Sequence, residues 1–185
     1  MTVSNINHDI TATDWLTILD QCADEADKIA KHYYESSTVK VIEKSDKSPV
    51  TEADQKIEDV IRQSICNQFP DIGVIGEEFP DKNQDSAIKL IVDPIDGTSN
   101  FIRGIPIFGT LLAIEKDNTI ITGVISNGIS KERWAAAKGN GATYNGTKIQ
   151  VSAIDTIEES QAFYGSLYGR EARGDFEKLT QLLSK

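Results

Sequence analysis

The chain is 185 residues long, enough for one good-sized domain or for a domain and part of a second. Its hydrophobic share of 39% and charged share of 26% are ordinary for a globular protein, but its formal net charge of −10 is not. That balance excludes non-specific binding to nucleic acid or to an anionic membrane, which needs basic patches, and an anionic ligand would need a local source of attraction.

In chain order, the first predicted element is an amphipathic helix over residues 11–35. Trp15, Ile18, Leu19, Cys22, Ala26, Ile29, Ala30 and Tyr33 recur at helical spacing, and Thr13 or Asp14 can cap it. Val39–Ile42 reads as a short strand and KSDKSPV as a turn-rich connector. A second helix runs from about Glu52 to Asn67, with Ile57, Val60, Ile61 and Ile65 on its apolar face. The period then changes. GVIGEE, IKLIVD, FGTLLAIEK and TIITGVIS are short apolar runs rich in β-branched residues, with Glu115–Asn118 as a hairpin between the last two. ERWAAAKGNGATYNG adds turns at Asn140-Gly141 and Asn145-Gly146, KIQVS is a further strand, and the tail returns to helix from about Gly174, with Phe176, Leu179, Leu182 and Leu183 on one face. Helices, then a meander of strands, then helix is an α+β order. The strand connections are mostly too short for helical crossovers, so the sheet should be largely antiparallel.

Cys22 and Cys66 lie inside helical patterns and read as reduced thiols of a cytoplasmic protein. No apolar run reaches membrane-spanning length, and MTVSNINHDI lacks the basic and apolar regions of a secretory signal. His8 and His32 have no partner at metal-ligand spacing and read as surface residues.

The stretch that carries chemistry is LIVDPIDGTSNF. A strand should deliver Asp93 to the sheet end, Pro94 should stop the ladder, and Gly97 permits a tight turn, so Asp93 and Asp96 can face one pocket. Glu77 closes another apolar run and Asp54 opens the second helix, so both could reach the same edge. Carboxylates about 4 Å apart repel by roughly 4 kcal/mol per pair at an effective dielectric near 20. They must spread into solvent, take up protons, or hold a cation. An all-oxygen set suits a hard ion, with Mg²⁺ the best fit, and such an ion would let an acidic protein bind phosphate. Thr98-Ser99-Asn100 read as the start of a helical turn, whose backbone N–H groups suit phosphate oxygens. Metal carboxylates beside phosphate amides point to metal-assisted phosphoryl transfer to water. Blander readings stand beside this one: Thr51 and Asp54 as a loose capping box, Glu77 and Glu78 as a solvated turn. An EF-hand loop is excluded because Val92 stands where it needs an acid, and the D-x-D-G-T pattern of haloacid-dehalogenase-type phosphatases fits poorly with two residues between the aspartates.

From about Lys44 to Ser152, through SPVTEAD, GEE, DPIDGTSNF and KGNGATYNGTKIQVS, the chain resembles the inositol monophosphatase superfamily of lithium-sensitive, Mg²⁺-dependent phosphomonoesterases. The resemblance implies the layered αβαβα fold, with a metal- and phosphate-binding α+β domain over 1–152 and only the beginning of a second α/β domain over 153–185. It implies that Glu77, Asp93 and the Ile95 carbonyl bind a first metal, that Asp93 and Asp96 hold a second, and that Gly97 and Thr98 offer amides to the phosphate. The Thr98 hydroxyl and Asp54 would orient and deprotonate the attacking water, with Thr51 and Glu78 behind them. Two or three Mg²⁺ ions in the complete family site, inhibition by Li⁺, a small phosphorylated metabolite as substrate and a homodimer for the completed chain are likewise implied. FIRGIPIFGTLLAI and ERWAAAKGNGA look most like histidinol-phosphate phosphatases; inositol monophosphate and sugar or nucleotide phosphates are the alternative substrates, and Arg103 is a candidate for the substrate side. Family members continue beyond this length to a W-D-x-A-type motif that supplies another metal-binding aspartate. Here the only later tryptophan, Trp134, is followed by alanine, so the chain is expected to be the N-terminal portion of such an enzyme. A truncated, non-catalytic metal-binding paralogue is the reading from a different class.

Overall fold

The computed structural model describes residues 10–36, 41–43 and 49–161, with the backbone alone for 41–43 and 49–50. The contacts divide the chain into two units, Met1–Gln150 and Val151–Lys185. The described part of the second unit, residues 151–161, carries no helix or strand, and the tail helix expected from Gly174 lies outside the described residues.

The first predicted helix is Ala12–Glu35 (α1). Its cap is Thr11, not Thr13 or Asp14. The Thr11 hydroxyl accepts from the Asp14 N–H at 3.2 Å, and the Asp14 carboxylate accepts from the Thr11 N–H at 2.9 Å. Asp14 stands three residues on, where a capping box needs its acid, so the cap falls earlier than expected while the helix itself begins within a residue of the expected start. Two short strands follow, Val41–Glu43 (β1) and Pro49–Thr51 (β2), which pair antiparallel. The end of the expected connector KSDKSPV is therefore a strand that leads straight into the second helix, Glu52–Gln68 (α2).

Seven strands make the main sheet, in the order β3-β4-β5-β6-β7-β8-β9: Gly73–Gly76 (β3), Ile88–Asp96 (β4), Gly109–Lys116 (β5), Thr119–Asn127 (β6), Glu132–Ala137 (β7), Gly141–Tyr144 (β8) and Thr147–Ile149 (β9). All neighbours are antiparallel except β3 and β4, which run parallel. The β5–β6 connection is a two-residue turn, with Asp117 at φ 51° and Asn118 at φ 59°, the left-handed pair that matches the twist of a hairpin. Pro94 does not end the β4 ladder as expected. The register slips between Asp93 and Asp96, and pairing resumes with Asp96 opposite Gly109. An irregularity of that kind lets the proline forgo its missing N–H without terminating the strand.

Period-two alternation sorts β4. Ile88, Leu90 and Val92 are buried beneath the helices, joined by Leu112, Ile114 and Val124 from the neighbouring strands. Trp15, Leu19, Ala23 and Ala26 of α1 and Ala53, Ile57, Ile61 and Ile65 of α2 close that core. Burial holds the Cys22 thiol up at about 11, so it stays protonated at neutral pH, in keeping with a core thiol. The other face of the sheet carries Ile91, Asp93, Leu111, Ala113, Ile125, Trp134 and Ala136, which line a shallow apolar depression. Ile125 there is 45% exposed. Of the five layers that the resemblance implies, the described residues build the first two.

Candidate metal and phosphate site

The parallel pairing of β3 and β4 assembles the site. Gly76 is in register with Val92, so the next residue on each strand, Glu77 and Asp93, leaves the same end of the sheet. An antiparallel partner would have sent them to opposite ends. Asp93 and Glu77 hydrogen-bond to one another, and Asp96 and Asp54 lie close enough to act on Asp93 electrostatically. Burial first, then the Glu77 charge and the hydrogen bond that protonated Asp93 donates to Glu77, push the Asp93 carboxyl up to about 7. Its Oδ1 atom is buried without a hydrogen-bond partner.

Asp54 is 1% exposed at the start of α2. Burial raises its pKa, against hydrogen bonds from Thr51 that lower it, while the charge of Glu77 adds to the rise. Its Oδ2 accepts from the Thr51 N–H at 2.8 Å and from the Thr51 hydroxyl at 2.5 Å. That hydroxyl in turn accepts from the Ala53 N–H at 3.1 Å and the Asp54 N–H at 3.4 Å. The bland reading and the functional one thus coincide: a complete capping box holds Asp54 in place, and its Oδ1 remains for Thr98. Thr51→Val is expected to lower stability by about 1–2 kcal/mol, and Thr51→Ser by much less. Urea unfolding checks this; equal midpoints for Val and wild type would contradict the capping role.

Past the slip in β4, Gly97 caps a single helical turn, Thr98–Ile102 (α3), at φ 90°. A Cβ at Gly97 would lie 3.1 Å from the Ile107 carbonyl oxygen, so both the left-handed backbone and the close approach require glycine. Phe101 fixes the turn from below, its ring 5.0 Å from that of Phe108 and 5.7 Å from that of Tyr34. The Tyr34 hydroxyl donates to the Gly104 carbonyl at 2.6 Å. The Thr98 hydroxyl stands 3.0 Å from the Ile95 carbonyl oxygen and 3.4 Å from Asp54 Oδ1, and its one proton serves either in turn. Arg103 donates to the Ser99 carbonyl at 2.7 Å at the end of the turn.

The structure therefore brings Asp54, Glu77, Asp93, Asp96 and Thr98 together. It does not arrange them as a formed metal centre: among the described residues no three His, Cys, Asp or Glu side chains stand ready around one ion. The residues still fit a hard cation. The donor set is all oxygen, and the orphaned Oδ1 of Asp93 is a buried acceptor that such an ion would satisfy.

The family model described as the inositol monophosphatase family matches residues 12–184. The chain belongs to the inositol monophosphatase family. A histidinol-phosphatase of Chlorobaculum parvum is 41% identical over 134 residues, covering 72% of this chain and 52% of that protein. An inositol-1-monophosphatase of Rhizobium meliloti is 32% identical over 164 residues, covering 87% of this chain and 62% of that protein. The crystal structure of the extragenic suppressor protein suhB from Bartonella henselae superposes with a TM-score of 0.71 at 34% identity, over 76% of this chain and 55% of that one. The chain thus spans between about half and two thirds of the length of these relatives. The inositol monophosphatase family is Mg²⁺-dependent, and its members act on small phosphorylated metabolites. Among the described residues no helix is long and apolar enough to cross a membrane.

Sequence reasoning missed one buried pair beside these residues. Glu58 is 0% exposed and pairs with Arg62 at 2.7 Å beside the Glu77 loop. The signal was there to read: Asp54, Glu58 and Arg62 recur every four residues on the face that Ile57 and Ile61 bury.

Proposed function

We propose that this chain carries the metal- and phosphate-binding machinery of a Mg²⁺-dependent phosphomonoester hydrolase, with L-histidinol phosphate as its substrate. One observation carries the reading: four carboxylates converge at one sheet end, and Asp93 among them has a buried oxygen without a partner and a pKa of about 7. No stability argument accounts for that arrangement, since like charges in a half-buried site oppose folding. A ligand-binding one does.

Glu77, Asp93, Asp96 and the Ile95 carbonyl would hold the metal. Bound there, Mg²⁺ would supply the positive charge that draws an anionic phosphate to an acidic protein and offsets the charge developing as the ester breaks. Gly97 and Thr98 stand at the start of a helical turn, where backbone N–H groups lack intrahelical acceptors and suit phosphate oxygens. Thr98 and Asp54, whose hydroxyl and Oδ1 lie 3.4 Å apart, would together orient a water bound to both. Asp54, its pKa raised by burial, would take the proton at Oδ1, the oxygen that the Thr51 cap leaves open.

The histidinol-phosphatases among the relatives and the FIRGIPIFGTLLAI and ERWAAAKGNGA stretches support histidinol phosphate over inositol monophosphate. The test is phosphate release by the 185-residue chain in Mg²⁺ from L-histidinol phosphate, inositol 1-phosphate and a sugar phosphate. The expected kcat/KM for histidinol phosphate is at least about tenfold the others, a margin that one or two satisfied polar contacts supply. Equal rates would overturn the substrate assignment. Mg²⁺ binding with no turnover of any of the three would overturn catalysis and leave the metal-binding paralogue. Inhibition by Li⁺ and a homodimer belong to the same proposal.

A further inference from the structure

Glu58 and Arg62 have no place in the chemistry just described, yet they are built into the site's wall. Glu58 lies one helical turn beyond Asp54 on α2 and its side chain is wholly buried. Its Oε2 accepts from the Glu78 N–H at 2.7 Å, and its Oε1 accepts from the Phe79 N–H at 3.3 Å and from Arg62 Nε at 2.7 Å. Arg62 spends the rest of its fork on the same segment. Nη1 donates to the Pro80 carbonyl at 3.1 Å and Nη2 to the Phe79 carbonyl at 3.0 Å, and its guanidinium carbon lies 5.8 Å over the Phe79 ring. One ion pair thus binds two backbone N–H groups and two carbonyls of the four residues that follow Gly76. Gly76 itself has no room for a side chain: a Cβ there would fall 2.0 Å from Glu58 Oε1.

We propose that Glu58 and Arg62 are a positioning pair that sets Glu77 for metal binding by anchoring the Glu77–Pro80 segment to α2, the helix that also carries Asp54. The inference rests on the reading of Glu77 as a metal ligand. A buried ion pair is a poor device for stability, because desolvation offsets most of its attraction, and an apolar pair of the same size would serve the core as well. What an apolar pair could not do is hold four backbone groups of a loop. Glu77 leaves the end of a four-residue strand and is itself exposed, so its strand alone fixes it at one side only. With the clamp, Asp54 and the backbone of Glu77 belong to one rigid body. Groups that orient a metal ligand typically change affinity by about 10–100-fold when replaced.

The experiment is calorimetric titration of the 185-residue chain with MgCl₂ for wild type, Glu58→Gln, Arg62→Lys, Glu77→Gln and the double variant Glu58→Gln/Glu77→Gln. Amide exchange at Glu78 and Phe79 and thermal midpoints are recorded alongside. Ile61→Val, a core change on α2 that leaves both Glu58 and Arg62 unaltered, provides a loss of stability without loss of the clamp. Glu58→Gln is expected to weaken Mg²⁺ binding by about 10–100-fold, and Arg62→Lys, which keeps the charge but not the fork, by about 3–10-fold. Both should speed exchange at Glu78 and Phe79, and Ile61→Val should change neither property. In the Glu77→Gln background Glu58→Gln should add nothing, since it acts through the residue already lost. If Glu77→Gln loses Mg²⁺ and Glu58→Gln keeps wild-type affinity, or if Ile61→Val weakens binding as much, the positioning role is overturned and the metal reading stands. If Glu77→Gln binds as wild type does, or neither binds, the metal reading falls and the positioning role with it.

Discussion

Asp93→Asn is expected to lose Mg²⁺ binding and phosphate release while making the metal-free chain more stable at pH 7–8. The two effects have one origin. The folded state holds the Asp93 proton to about pH 7, whereas the unfolded chain releases it near the ordinary value of 3.8. Between those values the native state binds more protons than the unfolded one, so Asp93 lowers stability progressively as pH rises from about 4 to about 7. The unscreened shift corresponds to about 4 kcal/mol, and because the group is half-exposed, solvent screening reduces it to roughly 1–2 kcal/mol. An asparagine removes the titration and keeps a donor for Glu77. The variant's urea midpoint should therefore be flatter across pH 4–8 and higher at its upper end. Adding Mg²⁺ should reverse the ranking, since only the wild type gains binding energy, about 2.7 kcal/mol at 100 times Kd. Parallel pH profiles for the two proteins, or equal stabilisation by Mg²⁺, would remove Asp93 from the centre of the site.

Arg133→Met is expected to cost about 2–3 kcal/mol, less than the 3–5 of a fully buried pair because the cluster keeps some solvent. Arg133 of β7 reaches across the sheet face to α1. It donates to Asp27 Oδ2 at 2.8 Å and to Ser126 Oγ at 3.1 Å and pairs with Asp24 at 2.8 Å. Its side chain is 24% exposed and that of Asp27 20%. Ser126 also donates to Asp27 at 2.6 Å, and Gly128 lets the α1 backbone close in, since a Cβ there would lie 2.7 Å from Asp27 Cβ. Removing the cation leaves Asp24, Asp27 and Asp20, the last 3.8 Å from Arg133, on one helix face with no positive partner from β7. Combining Arg133→Met with Asp27→Asn should recover part of the loss, a coupling that a double-mutant cycle on thermal midpoints measures. By contrast the Glu25–Lys28 pair, 55% and 70% exposed, should be worth almost nothing when Lys28 is replaced. A loss at Arg133 no larger than at Lys28 would contradict the pinning role.

Much of this was legible one residue at a time. The α1 and α2 patterns follow from apolar spacing, because a helix face is a local property of the chain, and the largely antiparallel sheet follows from connections too short for crossovers. The misreadings were local competitions. Thr11 outcompeted Thr13 as a cap because Asp14 sits at the one offset that returns its hydrogen bond. Pro94 did not end β4 because the slip between Asp93 and Asp96 absorbs it. Glu58 was overlooked because a glutamate in a helix pattern reads as solvent-facing until the loop that it binds is known.

By itself the sequence determined which residues could do the chemistry: an acid-rich turn at a strand end, a glycine before a helical start, a threonine and an aspartate at a helix cap. It also determined the family, since those motifs recur in order. Only the tertiary structure decided that they meet. Asp54, Glu77 and Asp93 are brought to one place by the parallel register of Gly76 with Val92 and by an α2 clamp on the loop between those strands. Strand direction and long-range pairing depend on how the whole core packs, which no window of the chain contains. The raised pKa of Asp93 is likewise a tertiary property, because burial and neighbouring charges exist only once the chain has folded.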